Sequence, residues 1–89
     1  MRAVITVLGK DTVGILAKVS SLCAAHNVNV TDVTQSILQD MFVMVMLVDL
    51  TGLDTGFCTL ADELEALGKE IGLSIKIMHE DIFNSMHRI

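Results

Sequence analysis

The pattern of hydrophobic and polar residues along this chain predicts four strands of two kinds. Residues 2–8 and 41–50 are almost continuously apolar, which is typical of strands that are buried on both faces. Residues 28–38 and 73–79 instead alternate apolar and polar side chains, which indicates strands at the edges of a sheet with one solvated face.

Two further stretches carry apolar residues at the spacing of three and four that is typical of an amphipathic helix. The first is predicted from Ile15 to His26, and the second ends at about Ile71. The apolar stripe of the first helix consists of Ile15, Leu16, Val19, Leu22, Cys23 and His26. That of the second consists of Phe57, Leu60, Ala61, Leu64, Leu67, Gly68 and Ile71. Asn27 and Gly72 follow the two helices at positions where a left-handed residue commonly ends a helix.

The order of the elements is strand, helix, strand, strand, helix, strand, and this order selects one architecture. Gln39 and Asp40 form a two-residue link, so the second and third strands are predicted to form an antiparallel hairpin. The two apolar strands belong in the middle of the sheet and the two alternating strands at its edges. The sequence therefore predicts an α+β, ferredoxin-like βαββαβ sandwich: a four-stranded antiparallel sheet with two helices on one face.

This architecture leaves one face of the sheet without helices, although the two central strands are apolar on both faces. The uncovered residues of the third strand are either Met44 and Met46 or Val43 and Val45, depending on the register. Hydrophobic residues make up 52% of the chain. Two explanations remain open at this point: a very apolar single core, or a second buried face and hence an oligomer.

Residues 80–89 form a tail in which Ile82, Phe83, Met86 and Ile89 recur at helical spacing. Ten residues are too few for a helix that is stable alone in water. We therefore expect a short C-terminal helix that docks on the sheet or on a partner subunit. Glu80 and Asp81 lie near its start, where the helix dipole favours negative charge.

Composition excludes several classes of partner and compartment. A formal net charge of −5 argues against nucleic-acid binding, which requires clustered Lys and Arg. The longest apolar run spans about eight residues, whereas a membrane-spanning helix needs about 20, and the N-terminus lacks the pattern of a signal peptide. Cys23 and Cys58 are predicted to be reduced, buried thiols in a cytoplasmic protein.

No pattern in the sequence points to catalysis, to a cofactor or to a metal. The loop after the first strand has no C-x-x-C pair, and the chain has no Trp, no Tyr and three Phe, which disfavours RNA stacking. Cys23 and Cys58 lie on predicted apolar helix faces, without a paired base. The cluster of His79, Glu80, Asp81 and His87 matches no tetrahedral zinc spacing and is better explained by helix capping. We expect no enzyme activity, no cofactor and no metal site.

The stretch between the first strand and the first helix is the most informative for function. Gly9 can adopt the backbone angles that end a strand sharply, and the Asp11 carboxylate can cap the free N–H groups of the helix. Gly14 is unexpected, because glycine within a helical turn costs roughly 1 kcal/mol relative to alanine. Either a neighbouring backbone packs closely against Gly14, or a bound ligand needs the space.

The pattern Gly9-x-Asp11-x-x-Gly14-Ile15, followed by Asn29-Val30 at the start of the second strand, resembles the ACT domain. The resemblance covers residues 2–79, and we divide the chain into an ACT domain at 1–79 and a helical tail at 80–89. With its tail, the whole chain resembles a small stand-alone ACT family of bacteria and archaea that has no assigned biochemical function.

The resemblance implies a regulatory module that binds a small molecule, most commonly an amino acid, at the interface of a homodimer. Its ligand-binding residues would be the loop and the start of the second strand: Asp11, Thr12, Val13, Gly14, Ile15 and Asn29. Free N–H groups at a helix N-terminus suit a carboxylate, and the Asn29 side chain both donates and accepts. Many amino-acid binders have proline before the glycine, whereas this chain has Val13.

Two functions therefore remain open. The first is a homodimeric sensor that binds a metabolite and signals to a separate partner enzyme. The second is an interaction or assembly module without a ligand, in which Gly14 only permits close packing and Asn29 is only a polar residue of an edge strand. The sequence names neither the metabolite nor the pathway.

Overall fold

The computed structural model of the protein describes residues 1–10 and 14–86, and seven elements lie within them. The bounds are β1 (Arg2–Lys10), α1 (Ile15–Ala25), β2 (Asn29–Leu38), β3 (Met41–Asp49), α2 (Phe57–Ile71), β4 (Ser74–His79) and α3 (Glu80–Met86). Each predicted strand and each of the two long helices is present, with ends within one or two residues of the expected positions, and the tail contains the short helix α3.

The four strands form one antiparallel sheet in the order β2-β3-β1-β4. The apolar strands β1 and β3 are central, and the alternating strands β2 and β4 are at the edges, as predicted. Gln39 and Asp40 make the tight turn of the β2–β3 hairpin, with Gln39 at a φ of 59°. The ferredoxin-like fold is confirmed.

The hydrophobic core lies between this sheet and the two long helices. Ile5 of β1 is paired in register with Met46 of β3 and with Ile77 of β4. Leu60 and Leu64 of α2, like Val19 and Cys23 of α1, are completely buried in the same cluster. The helical stripe and the alternate strand residues therefore meet in one apolar layer, which is what their spacing predicts.

Three local expectations were wrong. β1 continues through Gly9 to Lys10, and glycine is favoured there because its φ of 152° is a backbone conformation that residues with a side chain rarely adopt. Leu16 is 38% exposed, because the buried stripe of α1 follows Ile15, Val19 and Cys23 and leaves Leu16 beside it. Cys58 is exposed rather than buried, because the first turn of α2 points it away from the core.

The face of the sheet opposite the long helices is only partly covered. Met44 and Met46 point into the core, so Val43 and Val45 are the β3 residues on this open face, where they are half-buried. We use the name open face for the side of the sheet that carries Val4, Leu8, Val43, Val45 and Leu47. The register choice that the sequence left undecided is thereby settled.

The short helix α3 follows β4 directly and contacts β1 and β4. Its first turn carries Glu80 and Asp81, and a Glu80 carboxylate oxygen lies 2.8 Å from the guanidinium of Arg2. Phe83 is half-buried, whereas Ile82 is 52% exposed and does not dock on its own sheet. The Met86 and Ile89 side chains, which were also predicted to dock, lie outside the described part of the structure.

Candidate ligand site at the start of the first helix

The first helix starts at a glycine whose backbone has a left-handed conformation. Gly14 is the N-cap of α1, with φ 81° and ψ 15°. The left-handed conformation costs a residue with a side chain roughly 1–2 kcal/mol, so the backbone alone already explains why this position is a glycine. A Cβ on Gly14 would have no atom of the described residues within 4 Å. The space beside the helix start is therefore open with respect to that part of the chain.

Open space at this point matters because the first N–H groups of a helix have no acceptor within the helix. The first helical bond here runs from the N–H of Lys18 to the carbonyl of Gly14. Ile15 is 3% exposed, so its side chain belongs to the core and only its backbone N–H can face a ligand. Asp11, Thr12 and Val13 lie outside the described residues, and their roles stay predictions.

Asn29 is exposed at the first position of β2, at the other end of the sheet. It is paired in register with Asp49 of β3, which is itself paired with Arg2 of β1. The hydroxyl of Thr51 donates to the Asp49 carboxylate at 2.6 Å, and the backbone N–H of Thr51 donates at 2.9 Å. These bonds lower the pKa of Asp49, so an anionic carboxylate lies next to Asn29.

The topology separates Gly14 from Asn29 within one chain. β1 and β2 are both antiparallel to β3 and hence parallel to each other, and α1 returns between them in the opposite direction. The helix has 11 residues and a length of about 16 Å at 1.5 Å per residue. One small ligand cannot bridge this distance, so a site that uses both residues requires two copies of the chain.

Two surface depressions lie elsewhere. A groove of about 710 Å³ runs between the outer sides of α1, from Ala17 to Leu22, and α2, from Glu63 to Glu70. A cleft of about 400 Å³ is lined by Met1, Arg2, His79, Glu80 and Asp81. The cleft is occupied in part by the Arg2–Glu80 ion pair, and His79 is stacked on Phe57 with ring centroids 4.4 Å apart. Neither depression includes Gly14 or Asn29.

One charged cluster was not anticipated from the sequence. His26, which we expected on the apolar stripe of α1, is half-buried, and its ring contacts the carboxylates of Asp54 and Glu63. The three residues are far apart in the sequence, and no local spacing could have found them. The hint that the sequence offered was the position of His26 at the C-terminal end of the predicted helix, where a positive charge is favoured.

Metal binding and membrane insertion receive no support within residues 1–10 and 14–86. No group of three or more His, Cys, Asp or Glu side chains there has a geometry that could hold a metal ion. None of the helices in that part of the chain has both the length and the apolar character needed to cross a membrane. His87, the fourth member of the cluster noted in the sequence, lies beyond the described residues.

The four-stranded sheet with two helices on one face defines a class of small βαββαβ domains, and the glycine at the start of α1 marks the candidate ligand site. The ACT domain family matches residues 2–78. The chain is 49% identical over 89 residues to a UPF0237 protein of Clostridium acetobutylicum, covering all of both chains. The chain belongs to the ACT domain family, whose members are generally regulatory modules that bind small molecules.

Solved structures agree with this assignment. An ACT domain protein from Streptococcus pneumoniae has a TM-score of 0.81 and 37% sequence identity, and the match covers 93% of each chain. The regulatory subunit of aspartate kinase from Thermus thermophilus, in its ligand-free form, has a TM-score of 0.64 and 25% identity. That match covers 86% of this chain and 50% of the subunit.

Proposed function

We propose that this protein is a homodimeric regulatory module that binds an amino acid or a similar small metabolite in the cytoplasm and signals to a separate partner enzyme. The observation that carries the proposal is the start of α1, where the first N–H groups of the helix follow Gly14, beside space that is open with respect to the described residues. Such groups bind carboxylates well. Membership of the ACT family and the two free thiols agree with this proposal.

The proposed site is composite. The α1 start of one subunit supplies N–H donors to the ligand carboxylate, and Asn29 of the other subunit supplies an amide. Asp49, next to Asn29 in the sheet, carries the negative charge that suits the ligand's ammonium group. The opposite positions of Gly14 and Asn29 within one chain favour this arrangement over a site inside a single subunit.

The first test is a thermal-shift screen of amino acids, with titration calorimetry of those that stabilise the protein. A ligand at about 100 times its dissociation constant stabilises the folded state by roughly 2.7 kcal/mol. For a domain of this size, the melting temperature should rise by about 10–20 °C. A screen with no shift at millimolar concentration overturns the metabolite-sensing proposal.

Variants of the two proposed binding residues locate the site. Gly14→Asn adds a side chain beside the N–H groups while keeping φ positive, because asparagine tolerates the left-handed region. Gly72→Asn is its matched control, because Gly72 also has a positive φ of 77° and open space around it within the described residues. Asn29→Ala has Gln35→Ala as its control, since both residues are exposed on β2. The ligand shift should disappear in the first variant of each pair only.

A mixing experiment tests whether the site is shared between subunits. A heterodimer of Gly14→Asn and Asn29→Ala chains contains one site in which both residues are intact. Mixing the two inactive variants should therefore restore binding at one site per heterodimer, measured by calorimetry. No restoration, with subunit exchange verified by mass spectrometry, contradicts a shared site.

The homodimer itself has a separate test, and its motivation is the open face. Val43 and Val45 are half-buried and Leu8 is 43% exposed there, beside Thr6 and Thr34, so a second copy could cover the apolar residues of this face. We expect light scattering to give at least twice the chain mass at low micromolar concentration. A monomer mass under these conditions rules out the dimer.

The second candidate function is a ligand-free interaction or assembly module, and a specific surface favours it. Leu38 is 66% exposed and Ile37 61% exposed at the tip of the β2–β3 hairpin, beside Met41 at 49%. Such a tip is suited to contact with another protein. If the metabolite screen is negative and Leu38→Ser abolishes binding to the partner enzyme, the assembly function is the better description.

A further inference from the structure

The ring of His26 joins the end of α1 to two carboxylates from different segments. Its Nδ1 lies 3.0 Å from Asp54 Oδ1, in the loop between β3 and α2, and its Nε2 lies 2.7 Å from Glu63 Oε2, in α2. An ionised carboxylate only accepts hydrogen bonds, and a neutral imidazole has only one N–H. Both contacts can therefore be hydrogen bonds only when both ring nitrogens carry a proton.

Uncharged contacts hold the same two segments together independently of pH. The N–H of Asp54 donates to the His26 carbonyl at 3.3 Å, and the Asn27 side-chain amide donates to the Gly52 carbonyl at 3.0 Å. A Cβ on Gly52 would lie 3.1 Å from the backbone carbonyl oxygen of Asn27, so the two backbones pack closely. The turn between α1 and β2 thus depends on the loop after β3 for its position.

We propose that His26 is a proton-operated latch that fastens the α1–β2 turn to the β3–α2 loop and to α2. With the proton bound, the ring donates to both carboxylates. When one proton leaves, one carboxylate loses its donor, and the turn is held by fewer bonds. Asn29 follows this turn directly, so the latch also sets the position of the strand start that carries Asn29. An effect of the latch on ligand binding rests on the proposed function, whereas the latch itself does not.

The charges around the ring determine the direction of the effect. Hydrogen bonding to Glu63, and next to Asp54, raises the pKa of His26, while desolvation acts in the opposite direction. The Asp54 and Glu63 side chains are 56% and 41% exposed, so solvent weakens both pairs. On its own helix the ionisable groups are Lys18, two turns away, and the buried Cys23 thiol, and β2 has none before Asp32.

A raised pKa in the folded state fixes the sign of the linkage. The latch contributes its full stabilisation below the ordinary histidine pKa of 6.5. This contribution is lost as the pH rises through the higher pKa of the folded protein. The pH range in which the latch opens therefore begins near neutrality and extends upwards.

The decisive experiment is an NMR titration of the full chain without any ligand, following the His26 ring and the backbone amides. The pKa of His26 should lie above the ordinary value and should fall in both Glu63→Gln and Asp54→Asn. Glu65→Gln is the matched control, because Glu65 is on the same helix but lies 3.8 Å from Lys69. This control should leave the His26 pKa unchanged.

The Asn29 amide reports whether the latch reaches the start of β2. Its chemical shift should titrate with the same midpoint as the His26 ring in the wild type, and this titration should be lost in His26→Gln. The amide of Gln35, farther along β2, should not follow this midpoint. A His26 pKa at or below its ordinary value, or one unaffected by both carboxylate variants, overturns the latch.

Thermal unfolding at pH 6 and pH 9 gives a second, ligand-free readout. The difference in melting temperature between wild type and His26→Gln should be larger at pH 6 than at pH 9. A difference that does not change with pH contradicts the latch. Because no ligand is present in either experiment, a negative amino-acid screen leaves both results meaningful, and failure of the latch leaves the metabolite proposal standing.

Discussion

The two faces of the sheet are made by the same strands, yet they bury very different fractions of their side chains. Under the long helices, Met46 and Val48 of β3 are completely buried. On the open face, Val45 of the same strand is only half-buried. β1 shows the same contrast, because Val7 is fully buried whereas Leu8 is 43% exposed.

The open face has more apolar residues than the fold of a single chain requires. An antiparallel sheet with a solvated face normally carries polar residues on that face, as the edge strand β4 does with Ser74 and Lys76. Along the middle of the two central strands, valine and leucine occupy this face instead, except at Thr6 of β1, which is paired with Val45. The covered face forms the core on which the folding of one chain depends. The apolar residues of the open face call for a second apolar layer, and we propose that another copy of the chain supplies it.

The largest effect is expected on the covered face. Met46→Ala removes a completely buried side chain from the middle of the core. Truncation of a buried Met, Leu or Ile to alanine lowers the free energy of unfolding by about 2–5 kcal/mol. Urea unfolding, followed by circular dichroism at several protein concentrations, measures this loss, and we expect a similar loss at each concentration.

A matched pair on the same strand tests the contrast directly. Val48→Ala and Val45→Ala make the same change on the two faces of β3, at a buried and a half-buried position. At concentrations low enough for a monomer, Val48→Ala should lose more stability. Equal losses under those conditions would mean that the open face is already buried within one chain.

Much of the fold could be predicted from the sequence, because hydrophobic periodicity is a local signal. The apolar strands β1 and β3 and the alternating strands β2 and β4 fixed the strand order, and Asn27 was correctly predicted as the left-handed residue after α1, with φ 61°. Exposure near element ends was harder to predict. Cys58 lies beside the apolar stripe of α2 and is exposed, although Phe57 in the same turn packs against the core.

The candidate site was less predictable, since it depends on where the ends of elements meet in space. Gly14 was recognised as unusual, but its left-handed backbone depends on how the chain enters α1. The separation of Gly14 from Asn29 follows from strand direction, which a short motif does not encode. The His26 cluster depends on contacts across 28 and 37 positions in the sequence, and only the assembled fold brings these residues together.

The next largest effect is expected from deletion of the C-terminal tail, near the buried Val4 of the open face. Val4 is 4% exposed, in contrast to Leu8 on the same face, and α3 contacts β1, where its Glu80 is paired with Arg2. Deleting residues 80–89 should expose Val4 and remove half-buried Phe83. The expected loss is about 1.5–3 kcal/mol, the contribution of one large buried apolar side chain.

Thermal melting and light scattering of this truncated chain measure the loss and any change in assembly. Ile82→Ser in the full-length chain is the control, because Ile82 is 52% exposed. It should leave the stability of the single chain nearly unchanged. If the truncated chain has the melting temperature and the oligomer size of the wild type, the tail does not cover the open face.

The smallest effect on folding, and the sharpest test of the open face, is expected from Val45→Thr. Threonine has nearly the same shape as valine and an equally high preference for strands, but it adds a third hydroxyl beside those of Thr6 and Thr34, which are paired with position 45. In a monomer the hydroxyl remains in contact with water, because Val45 is only half-buried. The free energy of unfolding at low concentration should therefore change by less than about 0.5 kcal/mol, as for most substitutions at the surface. In a dimer that buries this face, the same hydroxyl loses its water, and it costs roughly 1–3 kcal/mol for each copy unless the neighbouring Thr6 or Thr34 hydroxyl accepts its hydrogen bond. Sedimentation across a concentration series should then show weaker association at unchanged monomer stability. Unchanged association would place the subunit contact on another surface, such as the exposed edge of β2.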